Sequence, residues 1–230
     1  MTNTSSLVKA ILPLSFLEAE INRLLILSSS FGASMIAVRI VYTGELHFLF
    51  LIWNLFLAFI PYFISWQLLN KPALSRSNIW LPVLATAWLL FIPNSFYILT
   101  DLFHLFDSYL VPKWFDLILI ISFAWNALLM GILSVRHIEK IIDQRWKIRY
   151  DWLFVFPVMC LNALGVYIGR YMRFNSWDIV TNPFALAADI LQIIFHPLEN
   201  ANAWAMIVSF SFLLSIFYFT LKMLSKKMAP

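Results

Sequence analysis

The segment FIPNSFYILTDLFHLFD, residues 91–107, places polar side chains that could do chemistry in an otherwise apolar run. Asp101 and His104 are three residues apart, so a helix would turn a carboxylate and an imidazole toward the same side. Such a pair can bind a divalent cation or act as general acid and base. It can equally hydrogen-bond internally or to an arginine, so the spacing predicts a polar site and leaves its chemistry open.

An α-helix drawn from Asn94 at 100° per residue gathers the polar side chains of this segment on one arc. The other arc is apolar apart from Ser95. Ionisable groups are costly in hydrocarbon unless they meet partners or water, so this stripe is predicted to face the interior of a bundle or an aqueous vestibule. The stripe consists of Asn94, Tyr97, Thr100, Asp101, His104 and Asp107.

The composition indicates the kind of structure that must position this stripe. Of the 230 residues, 62% are hydrophobic and 12% are charged, whereas soluble domains are about 45–50% apolar and about 25% charged. The apolar runs are continuous and close to the ~20 residues that cross a bilayer as a helix, unlike the alternating strands of a membrane barrel. We therefore predict an all-α polytopic membrane bundle. We expect no binding of nucleic acid, because basic cytoplasmic loops explain the net charge of +4.

Six apolar stretches are long enough to cross a membrane. They are predicted to follow a cytoplasmic N-terminal segment, 1–23, and to precede a basic cytoplasmic tail, 224–230. The predicted spans lie near 24–42, 46–69, 79–100, 114–136, 152–173 and 201–223.

Two further apolar pieces lie outside these spans. Residues 7–17 are predicted to rest on the inner membrane surface. Residues 183–196 are too short to span, and Asn182 or Thr181 can cap a helix there with Pro183 at its first position. We predict an interfacial or re-entrant helix on the outer side of the membrane.

The positive-inside rule predicts the orientation. With the N-terminus inside, an even number of spans brings both termini to the cytoplasmic side. Residues 136–150 then also lie on this side, where they are predicted to form a basic loop on anionic lipid. Polar chemistry other than loop charge is then expected in the outer half of the bundle. The Lys and Arg residues that this orientation leaves on the outer side are Arg39, Lys113, Arg170 and Arg173.

Other spans offer partners for the stripe at a similar depth. Arg170 and Arg173 share a helical face and could hold a phosphate or a carboxylate. Asn126, near the middle of the fourth span, would form the floor of an outward-facing pocket. The predicted ligand-binding residues are Asn94, Tyr97, Asp101, His104, Asn126, Arg170 and Arg173.

A divalent metal is the alternative occupant, and no other cofactor is indicated. Carboxylate and imidazole groups suit Zn²⁺ or a similar ion. The interfacial helix could supply two of the ligands. The predicted metal ligands are Asp101, His104, Asp189 and His196.

Three stretches of the chain resemble one known family. They are IPNSFYILTDLFHL (92–105), FDLILIISFAWNALLMGILSV (115–135) and YIGRYMRFNSWD (167–178). The chain resembles, from the second span through the interfacial helix, an uncharacterised bacterial integral membrane family, domain of unknown function 1361. The resemblance implies a multi-span helical bundle in a bacterial inner membrane, and it implies no activity.

Three functional hypotheses remain open from the residues alone. The first is binding or transport of a small anionic or lipid-like solute, for which a homodimer would supply more spans. The second is a membrane-embedded, metal-dependent hydrolase or transferase acting on a lipid-linked substrate at the outer leaflet, although no catalytic residue can be assigned. The third is a structural or accessory membrane subunit.

Gly165 and Gly169 form a Gly-x-x-x-Gly pair that predicts close helix packing rather than a phosphate loop.

Overall fold

A computed structural model describes residues 4–107, 110–147, 151–174 and 178–227, with side chains from Glu20 onward except at 179 and 180. The described residues are overwhelmingly helical and include no strand. Six helical segments are long and apolar enough to cross a membrane, which confirms the predicted fold class of an all-α, multi-pass membrane protein.

Nine α-helices follow one another along the described chain, with three short segments of other helical geometry. The α-helices are α1 (Thr4–Thr43), α2 (Phe50–Asn70), α3 (Pro72–Ser75), α4 (Trp80–Tyr97), α5 (Lys113–Trp146), α6 (Asp151–Tyr167), α7 (Asp178–Thr181), α8 (Pro183–Phe195) and α9 (Ala201–Lys227). The other segments are 3₁₀ helices at His47–Leu49 and Ile98–Phe106 and a π-helical turn at Ile168–Met172.

The spanning segments combine these elements. The 3₁₀ turn at His47–Leu49 leads directly into α2, the 3₁₀ helix at Ile98–Phe106 continues α4, and the π turn continues α6. The six segments are Glu20–Thr43, His47–Asn70, Trp80–Phe106, Lys113–Trp146, Asp151–Met172 and Ala201–Lys227.

Charged and histidine side chains make contacts between spans toward both ends of the bundle. Arg39 near the end of α1 binds Asp116 at the start of α5. Ser65 near the end of α2 and His137 in the second half of α5 are hydrogen-bonded at 3.1 Å. We call the end that contains Arg39 and Asp116 the distal end, and the end that contains Ser65 and His137 the terminal end, because α9 finishes there at Lys227.

The central helix is α5, which packs against α1, α2, α4 and α6. In its most apolar 18-residue window 67% of the residues are buried, against 28% to 39% in the corresponding windows of the other five spans. Its long run of buried residues forms two clusters of apolar side chains, one toward each end. The helices around α5 therefore bury one face on it and leave the other face apolar and exposed, as membrane helices do.

The fourth span is longer than the sequence predicts. Residues 136–146 were expected to begin a loop, but α5 continues through them and ends at Trp146, where Lys147 adopts a left-handed conformation with φ of 52°. His137, Ile138 and Ile141 are buried in this extension. Apolar side chains three residues apart supply the buried face, so the prediction of a loop over 136–146 was wrong.

The N-terminal prediction also changes. The surface piece expected at 7–17 lies within α1, a single helix from Thr4 to Thr43.

The short helix expected at 183–196 is α8, and Pro183 is at its first position. Asn182 occupies the N-cap position, one of the two predicted, but its side chain makes no capping hydrogen bond.

Candidate functional site

A 3₁₀ helix, rather than the expected α-helix, carries the polar stripe beyond Tyr97. Pro93 lies within α4, where it removes one backbone donor, and the last three turns tighten after it. With three residues per turn, side chains at i and i+3 lie directly above one another. Asp101, His104 and Asp107 therefore form one row, and Tyr97 and Thr100 lie on the neighbouring row.

Arg170 joins the two rows from the π turn that follows α6. Its Nε donates to Thr100 Oγ1 at 2.8 Å, and its Nη1 donates to His104 Nε2 at 3.0 Å. Its Nη2 donates to Asp101 Oδ1. The guanidinium carbon also lies 4.4 Å from the centre of the Tyr97 ring, a cation–π distance. Arg170 lies within the π turn Ile168–Met172, a geometry that is frequent at functional sites.

Asp101 is held on both of its oxygens. Arg170 occupies Oδ1, and Asn54 Nδ2 of α2 donates to Oδ2 at 2.9 Å. The side chain is 1% exposed and that of Arg170 is 13% exposed. A buried carboxylate needs this pairing, because an unpaired charge in such surroundings is strongly destabilising.

His104 extends the contacts toward the surface. An arginine can only donate, so His104 Nε2 is the acceptor and its proton lies on Nδ1. Nδ1 then donates to Asp107 Oδ2 at 2.5 Å, and His47 Nε2 lies 3.9 Å from the same oxygen. We call this connected set the distal network; its members are Asn54, Thr100, Asp101, His104, Asp107 and Arg170.

The expected metal site is not formed. Both oxygens of Asp101 and both ring nitrogens of His104 already have partners in the distal network. Asp189 and His196 lie on or directly after α8 and do not join them. Among the described residues, no group of three or more His, Cys, Asp and Glu side chains is arranged to hold a metal ion.

A cavity of about 340 Å³ lies beside the distal network and is bounded by α2, α4, α6 and α8. We call it the distal cavity. Trp53, Leu161 and Leu186 contribute to its mainly apolar wall, and no charged side chain of the described residues lines it. Its polar groups are uncharged and come from Asn54, Asn94 and Tyr97.

The predicted site residues separate into three groups. Tyr97, Asp101, His104 and Arg170 meet in or against the distal network. Asn94 lines the distal cavity, while its Nδ2 donates to the backbone oxygen of Phe91 in its own helix at 2.9 Å.

Two predicted residues lie elsewhere. Arg173 is exposed and ends the π turn in a left-handed conformation with φ of 60°, outside the residues that line the distal cavity. Asn126 is buried but lines a different cavity, between α1, α5 and α9. Asn126 thus lies on the face of α5 that borders the cavity shared with α1 and α9, which the sequence could not indicate.

The glycine pair in the last part of α6 explains how the distal site is assembled. A Cβ at Gly165 would lie 2.7 Å from Cβ and Cγ of Pro93, and one at Gly169 would lie 3.2 Å from the Tyr97 ring. The absence of a side chain lets α6 approach α4 closely, as predicted for this pair. That close approach brings Arg170 within reach of Asp101.

Two further charge pairings were missed from the sequence. Arg39 and Asp116 are both 1% exposed and bind through Nε and Oδ1 at 2.8 Å. At the terminal end, Lys222 of α9 binds Glu139 of α5 and Asp151 of α6, and the Tyr218 hydroxyl donates to Glu139. We call Glu139, Asp151, Tyr218 and Lys222 the terminal cluster. The sequence indicated these two sets of ion pairs only through the presence of acidic and basic residues near the ends of several spans.

The comparisons agree with the resemblance seen in the motifs. The family model described as Protein of unknown function (DUF1361) matches residues 53–217, which include the whole distal network. Neither the curated proteins nor the solved structures contain a match to the chain.

Proposed function

The chain belongs to the family described as Protein of unknown function (DUF1361), and we propose that it binds a lipid-like solute in the distal cavity. The carrying observation is an apolar cavity, lined by four helices and by uncharged polar groups only, directly beside a closed charge network. Its volume of about 340 Å³ falls in the range of roughly 300–1,000 Å³ for small-molecule sites.

The chemistry of the wall favours a ligand with an uncharged polar group. Asn54 uses Nδ2 for Asp101, so its carbonyl oxygen can accept a hydrogen bond from a ligand. The Tyr97 hydroxyl can donate or accept beside it. Leu161, Leu164 and Leu186 would contact the apolar part of the same molecule.

The distal network supports binding of a neutral ligand over an anion. Arg170 already directs Nε, Nη1 and Nη2 at Thr100, His104 and Asp101. Three of its five N–H donors are therefore engaged, which leaves one on Nη1 and one on Nη2 for an anion. The hydrogen bonds already made by Asp101 and His104 likewise favour a structural role of this pair over a role as general acid and base.

The proposal includes the setting of the site. We propose six spans with both termini in the cytoplasm, because the terminal end carries most of the Lys and Arg residues. A bacterial inner membrane is the location that the family resemblance implies. The distal cavity would then open toward the outer leaflet. Transport of the solute would require a path from this cavity to the terminal end.

Native mass spectrometry of gently solubilised protein tests the binding site. Leu161 of α6 lines the distal cavity and is 48% exposed, and Leu153 of the same helix is 49% exposed but does not line it. We expect wild type and Leu153→Trp to carry a bound lipid or metabolite mass. Leu161→Trp should lose that mass, because the indole would occupy the cavity.

Two results would overturn the proposal. One is a wild-type protein that carries no bound mass under conditions that keep it folded. The other is a folded Leu161→Trp variant that retains the same mass as Leu153→Trp. Either result would leave the distal network as a structural connection between helices.

A further inference from the structure

A second cavity, of about 900 Å³, lies at the terminal end between α1, α5 and α9. We call it the terminal cavity. One face of α5 lines it at spacings of three and four residues, from Asn126 through Leu129, Leu133 and Arg136 to Lys140. The 14 helical steps from Asn126 to Lys140 rise about 21 Å at 1.5 Å per residue. The cavity thus extends from the middle of α5 to the basic end of the bundle.

The two ends of the terminal cavity differ in chemistry. Leucines of α1 and α5 form the wall toward Asn126, with Leu25 and Leu129 among them. The other end is lined by four basic side chains, Arg136, Lys140, Lys222 and Lys226. An apolar channel that ends in cations is complementary to a molecule with an apolar chain and an anionic head.

The terminal cluster pairs Lys222 but forms no salt bridge with Arg136 or Lys226 among the described residues. Glu139 and Asp151 both bind Lys222. The positive charge around Arg136 and Lys226 remains in excess.

Two polar groups of the cavity wall point to a ligand independently of this charge. Arg136 Nη1 is buried and has no hydrogen-bond partner. Asn126 is 1% exposed, and neither its Oδ1 nor its Nδ2 has a partner. Buried polar atoms without partners are rare in proteins, because they lose their bonds to water and gain none in return.

We propose that the terminal cavity binds an anionic phospholipid of the leaflet at the terminal end. The lipid phosphate lies against Arg136, Lys140 and Lys226, and one acyl chain runs along Leu133 and Leu129. The cavity length of about 21 Å matches one leaflet with its headgroups, since the bilayer including both headgroup layers is about 40–45 Å thick. A water molecule entering beside the chain would satisfy the Asn126 amide.

The experiment measures lipid preference in the intact protein. The protein is reconstituted in vesicles of phosphatidylcholine and phosphatidylglycerol, extracted gently, and examined by native mass spectrometry for the ratio of the two retained lipids. Wild type should retain phosphatidylglycerol in preference to phosphatidylcholine. Arg136→Gln should lower that ratio about fivefold, the effect expected for one basic group near anionic lipid.

The matched control is Arg23→Gln, which removes the same charge from the same end of the bundle. Arg23 is 74% exposed, pairs with Glu20 and does not line the terminal cavity. A second variant, Lys226→Gln, changes an exposed residue in the last turn of α9 and should also lower the ratio. A wild-type ratio equal to that of the vesicles would overturn the proposal. So would an equal loss in Arg23→Gln, or an unchanged ratio in folded Arg136→Gln or Lys226→Gln.

Discussion

The distal network and the terminal cluster hold charge in the bundle in different ways. At the distal end one arginine donates to three acceptors on a single 3₁₀ helix. At the terminal end one lysine binds carboxylates from two separate helices, α5 and α6. The planar, multi-donor guanidinium suits the first arrangement and the compact ammonium suits the second.

The two sites also differ in their contact with solvent. Asp101 of the distal network is 1% exposed and depends on Arg170 as its cation. In the terminal cluster Glu139 is 12% exposed but also accepts from the Tyr218 hydroxyl, and Asp151 is 43% exposed at the first turn of α6. A partly exposed carboxylate at a helix N-terminus is stabilised by water and by the helix dipole when its partner is lost. The comparison teaches that the same kind of ion pair should contribute very differently to stability at the two ends.

The largest expected effect is at the distal end. Arg170→Gln should lower the free energy of unfolding by about 3–5 kcal/mol, because it leaves the Asp101 carboxylate buried without a cation. Unfolding in mixed micelles with increasing denaturing detergent would measure the change. Asp101→Asn combined with Arg170→Gln should recover part of the loss, since no charge is then buried. A double variant that loses the sum of both single effects would contradict this account.

A smaller effect is expected at the terminal end. Lys222→Gln should cost about 1–3 kcal/mol, because Glu139 keeps the Tyr218 hydroxyl as a donor and Asp151 remains partly solvated. The same unfolding experiment compares it with Arg170→Gln. If Lys222→Gln proves the more damaging of the two, burial does not rank these sites.

The smallest effect is expected at the outer edge of the distal network. His104→Leu should cost about 1 kcal/mol, because Arg170 keeps Thr100 and Asp101 and because Asp107 is 42% exposed. His104 does not line the distal cavity, so the bound mass expected for wild type should be retained. Loss of that mass in folded His104→Leu would show that the network and the cavity act as one site.

Much of the fold follows from hydropathy, and the exceptions have a physical cause. Runs of about 20 apolar residues can be satisfied in a bilayer only as helices, so the six segments were readable directly. The extension of α5 was missed because its polar residues, among them His137 and Glu139, read as a loop. They are buried because Ser65 and Lys222 on other helices bind them.

The sequence predicted the candidate site only in part. Asp101, His104 and Arg170 were selected because ionisable groups at membrane depth require partners. The repeat of three in Asp101, His104 and Asp107 also fits a 3₁₀ helix, but over so short a stretch it does not exclude 3.6 residues per turn. The difference decides which side chains Arg170 can reach.

Composition and apolar pattern were sufficient for the all-α membrane bundle, its six long apolar helices and the polar stripe that interrupts the third of them. The tertiary structure alone decided that Arg170, 66 to 70 residues away, closes that stripe, and that Asn126 lines the opposite cavity. Apolar length and local spacing depend on the chain and its solvent. The partners of a polar side chain depend on how far its helix is rotated and how closely the neighbouring helix approaches. For α6 and α4 the close contact between Gly165 and Pro93 sets this approach, and no local sequence pattern contains that contact.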